Sequence, residues 1–268
     1  MFNFTRKGQI KPNKEEDNEE MLVPASREEN VPIHVDSKDK GGNGSSLVDS
    51  HLITVREPFS IGAEQYRVLC TRISQIVQSK PSYILAVTSS AKEEGKSVTS
   101  LNLAISMAKD FDEKVLLIEG DLKNPSLHEY LKHPPGLGLS DVLEGRIDFT
   151  ASSTQMFEGY LTVIFAGKIT SNPSRLLSSP KMQEILNTAR GYYKYIIIDT
   201  PPIIPLADIN IYSTLVDGFL LVIRAGRTPR SIVKKALSTI SSEKVIGAVL
   251  NDVEGNYSGY YYGRKYSY

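Results

Sequence analysis

The stretch Val87 to Ser100, V-T-S-S-A-K-E-E-G-K-S-V-T-S, decides how the rest of the chain is read. An apolar run, Tyr83 to Val87, arrives as a buried strand and breaks at Thr88. A polar loop ends in Gly95-Lys96-Ser97, and a helix with apolar periodicity (Leu101, Leu103, Ala104, Met107, Ala108) leaves. Strand, loop and helix in that order gather backbone N–H groups and a helix N-terminus around one point, which suits a polyphosphate. Lys96 is expected to reach the β- and γ-phosphates, and the Ser97 hydroxyl to ligate Mg²⁺. Ser90 stands where the first glycine of G-x-x-x-x-G-K-[ST] usually falls. The nucleotide contacts expected here are Ser90, Glu94, Gly95, Lys96, Ser97 and Val98, with Lys96 also in a catalytic role.

Working outward, apolar strands and helices alternate from Tyr83 onward. Strands are expected at 83–88, 114–119, 161–165, 194–199, 218–224 and 244–250. Helices are expected at 97–110, 139–144, 174–190, 206–214 and 228–241. Near-continuous apolar strands separated by helices imply a doubly wound α/β domain, its mainly parallel sheet covered on both faces. Ligands of such sheets bind beyond the strand C-termini. The loops after 88, 119, 199 and 250 should therefore converge. Before the first strand, Pro58 to Val77 reads as an amphipathic helix with Tyr66, Leu69, Ile73 and Ile76 on one stripe.

Two strand ends add carboxylates. Val115-Leu116-Leu117-Ile118 is followed by Glu119-Gly120-Asp121, and Ile196-Ile197-Ile198 by Asp199-Thr200-Pro201-Pro202. Mg²⁺ needs only one or two carboxylates beside phosphate oxygens and water. Phosphoryl transfer needs charge neutralisation and a carboxylate that accepts a hydroxyl proton or orients a water. Ser97, Glu119, Asp121 and Asp199 are the expected metal ligands, and Glu119 and Asp121 are also expected to be catalytic.

Composition narrows the remaining classes. The 268 residues carry 31 basic and 31 acidic side chains, so no global field favours nucleic acid or a membrane surface. One cysteine, Cys70, excludes an internal disulfide and a cysteine-built zinc site. His34, His51, His128 and His133 show no metal-ligand spacing. No apolar run approaches the ~20 residues that span a bilayer, and no apolar signal segment opens the chain. These features lead us to expect a cytoplasmic protein.

Three segments are expected: 1–55 as a disordered tail, 56–254 as the nucleotide-binding domain, and 255–268 as a flexible tail. The first 50 residues hold seven basic and ten acidic side chains and a Gly41-Gly42-Asn43-Gly44-Ser45-Ser46 break, too little apolar surface to offset ordering entropy. The last stretch carries Tyr257, Tyr260, Tyr261, Tyr262, Tyr266 and Tyr268 among Gly, Ser, Arg264 and Lys265. Two cations are too few for tight nucleic-acid binding, so no nucleic-acid partner is expected.

A Lys-Ser phosphate loop, an acidic strand end followed by Leu122-Lys123-Asn124-Pro125, an I-I-I-D-T-P-P strand end and a tyrosine cluster together resemble the bacterial tyrosine kinases of polysaccharide assembly. The resemblance covers residues 58–268 and is strongest to the autokinases that accompany exopolysaccharide or exosortase loci. It places the chain among the deviant P-loop ATPases, which include partition and septum-placing proteins. It implies an Mg-ATP site at Ser90 to Ser97, Glu119, Asp121 and Asp199, with Glu119 as base and Asn251 against adenine. It further implies trans-phosphorylation of the six tail tyrosines, a homo-oligomer, and a separate inner-membrane copolymerase-like activator that holds the protein at the inner face of the membrane. Three positions depart from the family pattern: Glu119 replaces its Asp, Lys123 its Arg, and Cys70 the last arginine of its E-x-x-R-x-x-R ring motif. The alternative from the same superfamily is a switch ATPase that hydrolyses ATP and binds partners without kinase activity.

Overall fold

Alternation of side chains along each strand shapes this molecule, because the inner strands bury both faces and must feed two cores. The computed structural model describes residues 48–205 and 208–253. In chain order the elements are α1 (Ile53–Arg56), α2 (Ile61–Val77), β1 (Tyr83–Ser89), α3 (Lys96–Asp110), β2 (Val115–Glu119), α4 (Leu127–Tyr130), α5 (Leu139–Leu143), β3 (Ser153–Met156) and β4 (Leu161–Ile164). There follow α6 (Pro173–Leu177), α7 (Pro180–Ala189), β5 (Tyr195–Asp199), α8 (Ile209–Leu215), β6 (Gly218–Arg224), α9 (Arg230–Leu237) and β7 (Val245–Asn251).

The strands form one seven-stranded sheet in the order β3-β4-β2-β5-β1-β6-β7. All neighbours pair parallel except β3 with β4. Leu85 and Val87, Val115 and Leu117, and Tyr195 and Ile197 point to the core shared with α2 and α3. Ile84 and Ala86, Leu116 and Ile118, and Ile196 and Ile198 point to the opposite core, with α5 to α8. The register sets Val87 beside Asp199 and Glu119 beside Asp199, which brings the ends of β1, β2 and β5 level.

Helix α2 starts on Ser60, whose hydroxyl accepts the Ala63 N–H at 3.2 Å. Its buried face is Ala63, Cys70, Ile73 and Val77, with Tyr66 and Leu69 half-buried. Ile76 points outward, contrary to the expected stripe, because at 100° per residue Val77 continues the Cys70–Ile73 row. Cys70 faces α3, its Sγ 3.9 Å from the Leu103 carbonyl, and burial pushes its thiol up to about 12.

Four expectations are corrected. Helix 174–190 is two helices, because Ser179 caps the Met182 N–H and Pro180 opens a new helix. The antiparallel edge strand β3 was not expected, nor were α1 and α4. The boundary at 55 moves: Val48 and Leu52 are buried, and the Asp49 N–H donates to the Tyr130 carbonyl at 2.9 Å. Buried Asn102 anchors that segment, accepting from Thr54 Oγ1 at 2.9 Å and donating to the His51 carbonyl at 3.0 Å. Among the described residues no helix is long and apolar enough to cross a membrane. The rest of the expected N-terminal tail, residues 1–47, lies outside the described residues.

Candidate active site

The loop between β1 and α3 is shaped by two left-handed residues, Glu93 at φ 62° and Gly95 at φ 89°. Glycine suits the second for a further reason: a Cβ there would lie 2.1 Å from Asn251 Nδ2. Gly95 caps α3, so Lys96, Ser97 and Val98 form its first turn, whose main-chain N–H groups an α-helix leaves without internal partners. Val98 contributes main chain only: its carbonyl accepts the Asn102 amide at 2.9 Å.

From that turn Lys96 and Ser97 meet the two acidic strand ends. Lys96 Nζ lies 3.0 Å from Asp121 Oδ2, 3.5 Å from Asp199 Oδ2 and 3.1 Å from Ser97 Oγ. Ser97 Oγ donates to Asp199 Oδ2 at 2.7 Å, and Ser100 Oγ to Asp199 Oδ1 at 3.1 Å. The acidic loops are stitched together by main chain, since the Asp199 carbonyl accepts the N–H of Gly120 at 2.8 Å and of Asp121 at 3.0 Å. Tyr212 Oη donates to the Gly120 carbonyl at 2.7 Å, and a Cβ on Gly120 would meet that same hydroxyl at 2.8 Å.

The cluster is dry and short of positive charge. Asp199 is fully buried, which raises its carboxyl above the usual range although Lys96 pulls the other way. Burial works against the Lys96 ammonium, but the charges of Asp199 and Asp121 outweigh it and hold the lysine protonated. Two carboxylates against one ammonium leave room for further cations.

Glu119 stands outside this group of side chains. Its Oε1 accepts the N–H groups of Ser126 at 2.5 Å and Leu127 at 2.6 Å, and its Oε2 accepts that of Ala166 at 2.9 Å. Burial raises its carboxyl, and these three N–H bonds act in the opposite sense. A carboxylate one methylene longer than aspartate reaches past the strand end and binds main chain. Among the described residues no three His, Cys, Asp or Glu side chains are grouped to hold a metal. An oxygen-only set of Ser97, Asp199 and Asp121 remains, which suits Mg²⁺ completed by phosphate and water. The Ser90 hydroxyl, buried in the loop without a hydrogen-bond partner, marks a donor still to be satisfied.

Two more expected contacts serve the loop itself. Glu94 is 3% exposed, its Oε2 accepting the Ala91 N–H at 2.9 Å and its Oε1 the Thr228 hydroxyl. Asn251 Nδ2 donates to the Glu94 carbonyl at 3.0 Å. Lys123 pairs with Asp208 at 2.5 Å, and Ser174 donates to the same carboxylate at 2.5 Å. Thr228, Tyr212 and Asp208 escaped the reading of the sequence, since none belongs to a motif and each acts on a residue far away along the chain. The six tail tyrosines lie outside the described residues.

No protein-family model matches the chain. The tyrosine-protein kinase YwqD of Bacillus subtilis (strain 168) is 36% identical over 228 residues, 83% of this chain and 95% of that protein. The succinoglycan biosynthesis transport protein ExoP of Rhizobium meliloti (strain 1021) is 29% identical over 214 residues, 78% of this chain but 27% of ExoP. The kinase domain of Escherichia coli tyrosine kinase ETK superposes with a TM-score of 0.70 at 27% identity, covering 81% of this chain and 84% of that domain. With near-complete coverage of a tyrosine kinase at this identity, the chain belongs to the bacterial tyrosine-protein kinase family.

Proposed function

We propose that this protein is an ATP-dependent autokinase of capsule or exopolysaccharide production, which phosphorylates the tyrosine cluster of a second copy. One observation carries the reading: Lys96 lies between Asp121 and Asp199, with Ser97 hydrogen-bonded to Asp199, inside a loop that wraps a helix N-terminus. On this reading Lys96 turns from the carboxylates to the β- and γ-phosphates, as the developing charge requires. Asp121 Oδ2, released from Lys96, accepts the phenol proton while the tyrosine oxygen bonds to the γ-phosphorus and the bond to the β,γ-bridging oxygen breaks, leaving ADP. The three main-chain bonds on Glu119 favour Asp121 over Glu119 as this base. Ser97 and Asp199, with Asp121 beside them, would hold Mg²⁺, which neutralises phosphate charge. Asn251 lies at the edge of the same loop, where the base of the nucleotide would leave it.

The acceptors are Tyr257, Tyr260, Tyr261, Tyr262, Tyr266 and Tyr268. The partner is a separate inner-membrane protein of the copolymerase type, and similarity to a transport protein of succinoglycan biosynthesis supports that class. The protein works as a homo-oligomer at the inner face of the membrane. Its contact differs from the family ring, because Cys70 is buried and Arg67 bonds Glu64 at 2.9 Å and the Pro58 carbonyl at 2.6 Å.

A mixing experiment tests both chemistry and direction. Lys96→Met protein with an intact tail is incubated with Mg-ATP and a variant lacking Tyr257 to Tyr268. Phosphotyrosine on the Lys96→Met chain is the expected result. Its absence, with wild-type protein equally unlabelled, would overturn the kinase assignment, and labelling of wild type alone would overturn transfer between copies.

A further inference from the structure

The phosphate loop is braced from outside as well as from within. Glu93 occupies a left-handed conformation that a side chain disfavours, and the next two residues carry the turn into α3. Part of what fixes the loop comes from the neighbouring strand β6 and the turn that follows it. The chain leaving β6 makes a tight turn in which the Thr228 N–H donates to the Arg224 carbonyl at 3.1 Å. Thr228 then donates its hydroxyl to Glu94, and Arg224 Nη1 donates to the Glu93 carbonyl at 3.4 Å. Arg224 is itself oriented by Asp252, 2.8 Å from its Nε, just beyond β7.

We infer that Thr228 is a positioning residue for nucleotide binding, acting through the Glu94 carboxylate on the phosphate loop. Both carboxylate oxygens are engaged inside the protein, one by Thr228 and one by the Ala91 N–H. Glu94 is therefore a strut rather than a ligand: it ties the first half of the loop to the turn after β6. Without the hydroxyl, a buried charged oxygen loses its partner and is driven to seek another or to take up water. Either response shifts the Ala91–Gly95 main chain, which leads into the first turn of α3. Thr228 is remote from the Lys96–Asp121–Asp199 cluster in its contacts, so the chemical step is untouched once nucleotide is bound. The inference rests on the assignment of this loop to a nucleotide.

Titration calorimetry with Mg-ATP and steady-state autophosphorylation test it on the full chain. Thr228→Val keeps the shape and removes the hydroxyl; it should raise the Kd and the KM for Mg-ATP about tenfold, with kcat within about twofold of wild type. Thr228→Ser should restore both constants. Glu94→Leu cuts the same link from its other end, and the double variant should be no weaker than the worse single one. Wild-type affinity in Thr228→Val, or equal impairment in Thr228→Val and Thr228→Ser, would overturn the inference alone. Should Thr228→Val not fold, the Thr228→Ser and Glu94→Leu variants decide: wild-type affinity in Glu94→Leu overturns it. Wild-type protein that bound no Mg-ATP would overturn the nucleotide assignment and this inference with it.

Discussion

Asp199 and Asp217 sit at opposite ends of the same sheet, and they differ in what surrounds them. Asp217, just before β6, receives Arg190 through two bonds of 2.8 and 3.0 Å and the Ile84 N–H at 2.8 Å. Burial opposes its charge, but the Arg190 fork and that N–H outweigh it, so its carboxyl lies below the ordinary range. Asp199 is buried further and shares one ammonium with Asp121, so its carboxyl is raised. A carboxylate whose partners match its charge holds the fold together. One left partly uncompensated in a buried site is poised for a cation that arrives later.

The sharpest way to break this contrast is Lys96→Met, which strips the active-site end of its ammonium. Phosphotyrosine formation should fall about 10²-fold or more, while the fold persists. An unchanged rate by anti-phosphotyrosine assay would place the phosphate contact elsewhere. Next in size, Arg190→Leu leaves Asp217 charged against one N–H. It should cost about 2 kcal/mol, a fall of about 4–8 °C in Tm, with Mg-ATP affinity retained. Calorimetry in which Tm held and nucleotide binding weakened would reverse the roles of the two ends.

Asp199→Asn should do the opposite of Arg190→Leu. Mg-dependent nucleotide binding weakens about tenfold, because an amide is a poor ligand for a hard dication, while Tm stays level or rises. Equal Mg-ATP affinity in variant and wild type would return Asp199 to a purely structural role.

The smallest effect is the pH dependence. The lowered carboxyl of Asp217 means that its stabilisation is complete above the ordinary carboxylate value and is lost as pH falls through the folded value. The Tm gap between wild type and Arg190→Leu should therefore narrow below about pH 4. The raised carboxyl of Asp199 acts in the other sense: the folded state holds an extra proton, and stability declines as pH rises through its value. Asp199→Asn should flatten that decline, and parallel Tm profiles for the two proteins would refute it.

The meeting of Lys96, Ser97, Asp121 and Asp199 was largely legible in the sequence, and the contacts at the opposite end of the sheet were not. Gly95-Lys96-Ser97 and the two acidic strand ends are local patterns, each set by a strand that stops and a helix that starts. Apolar runs such as Tyr195–Ile198 announce a strand buried on both faces. The edge strand β3 escaped because Ser-Thr-Gln-Met is polar, short and only half-buried. The break in helix 174–190 was available in Ser179-Pro180, a capping pair inside an otherwise periodic run. The main-chain partners of Glu119, namely Ser126, Leu127 and Ala166, were not legible, because they depend on the path of the chain after β2 and on how β4 lies beside it. Asp217 with Arg190, and Thr228 with Glu94, are joined only by the crossover connections of the sheet. No spacing rule links residues 134 positions apart.

Cys70 offers a consequence of a practical kind. It is the chain's one cysteine, 0% exposed, with its thiol pushed up to about 12 by burial. Alkylating reagents need a thiolate and a path to it, so Cys70 reacts only when α2 lifts from α3. The rate of labelling is thus a built-in clock for the opening of that helix pair. A cysteine introduced anywhere on the surface can carry a fluorophore with no competing background from the native fold.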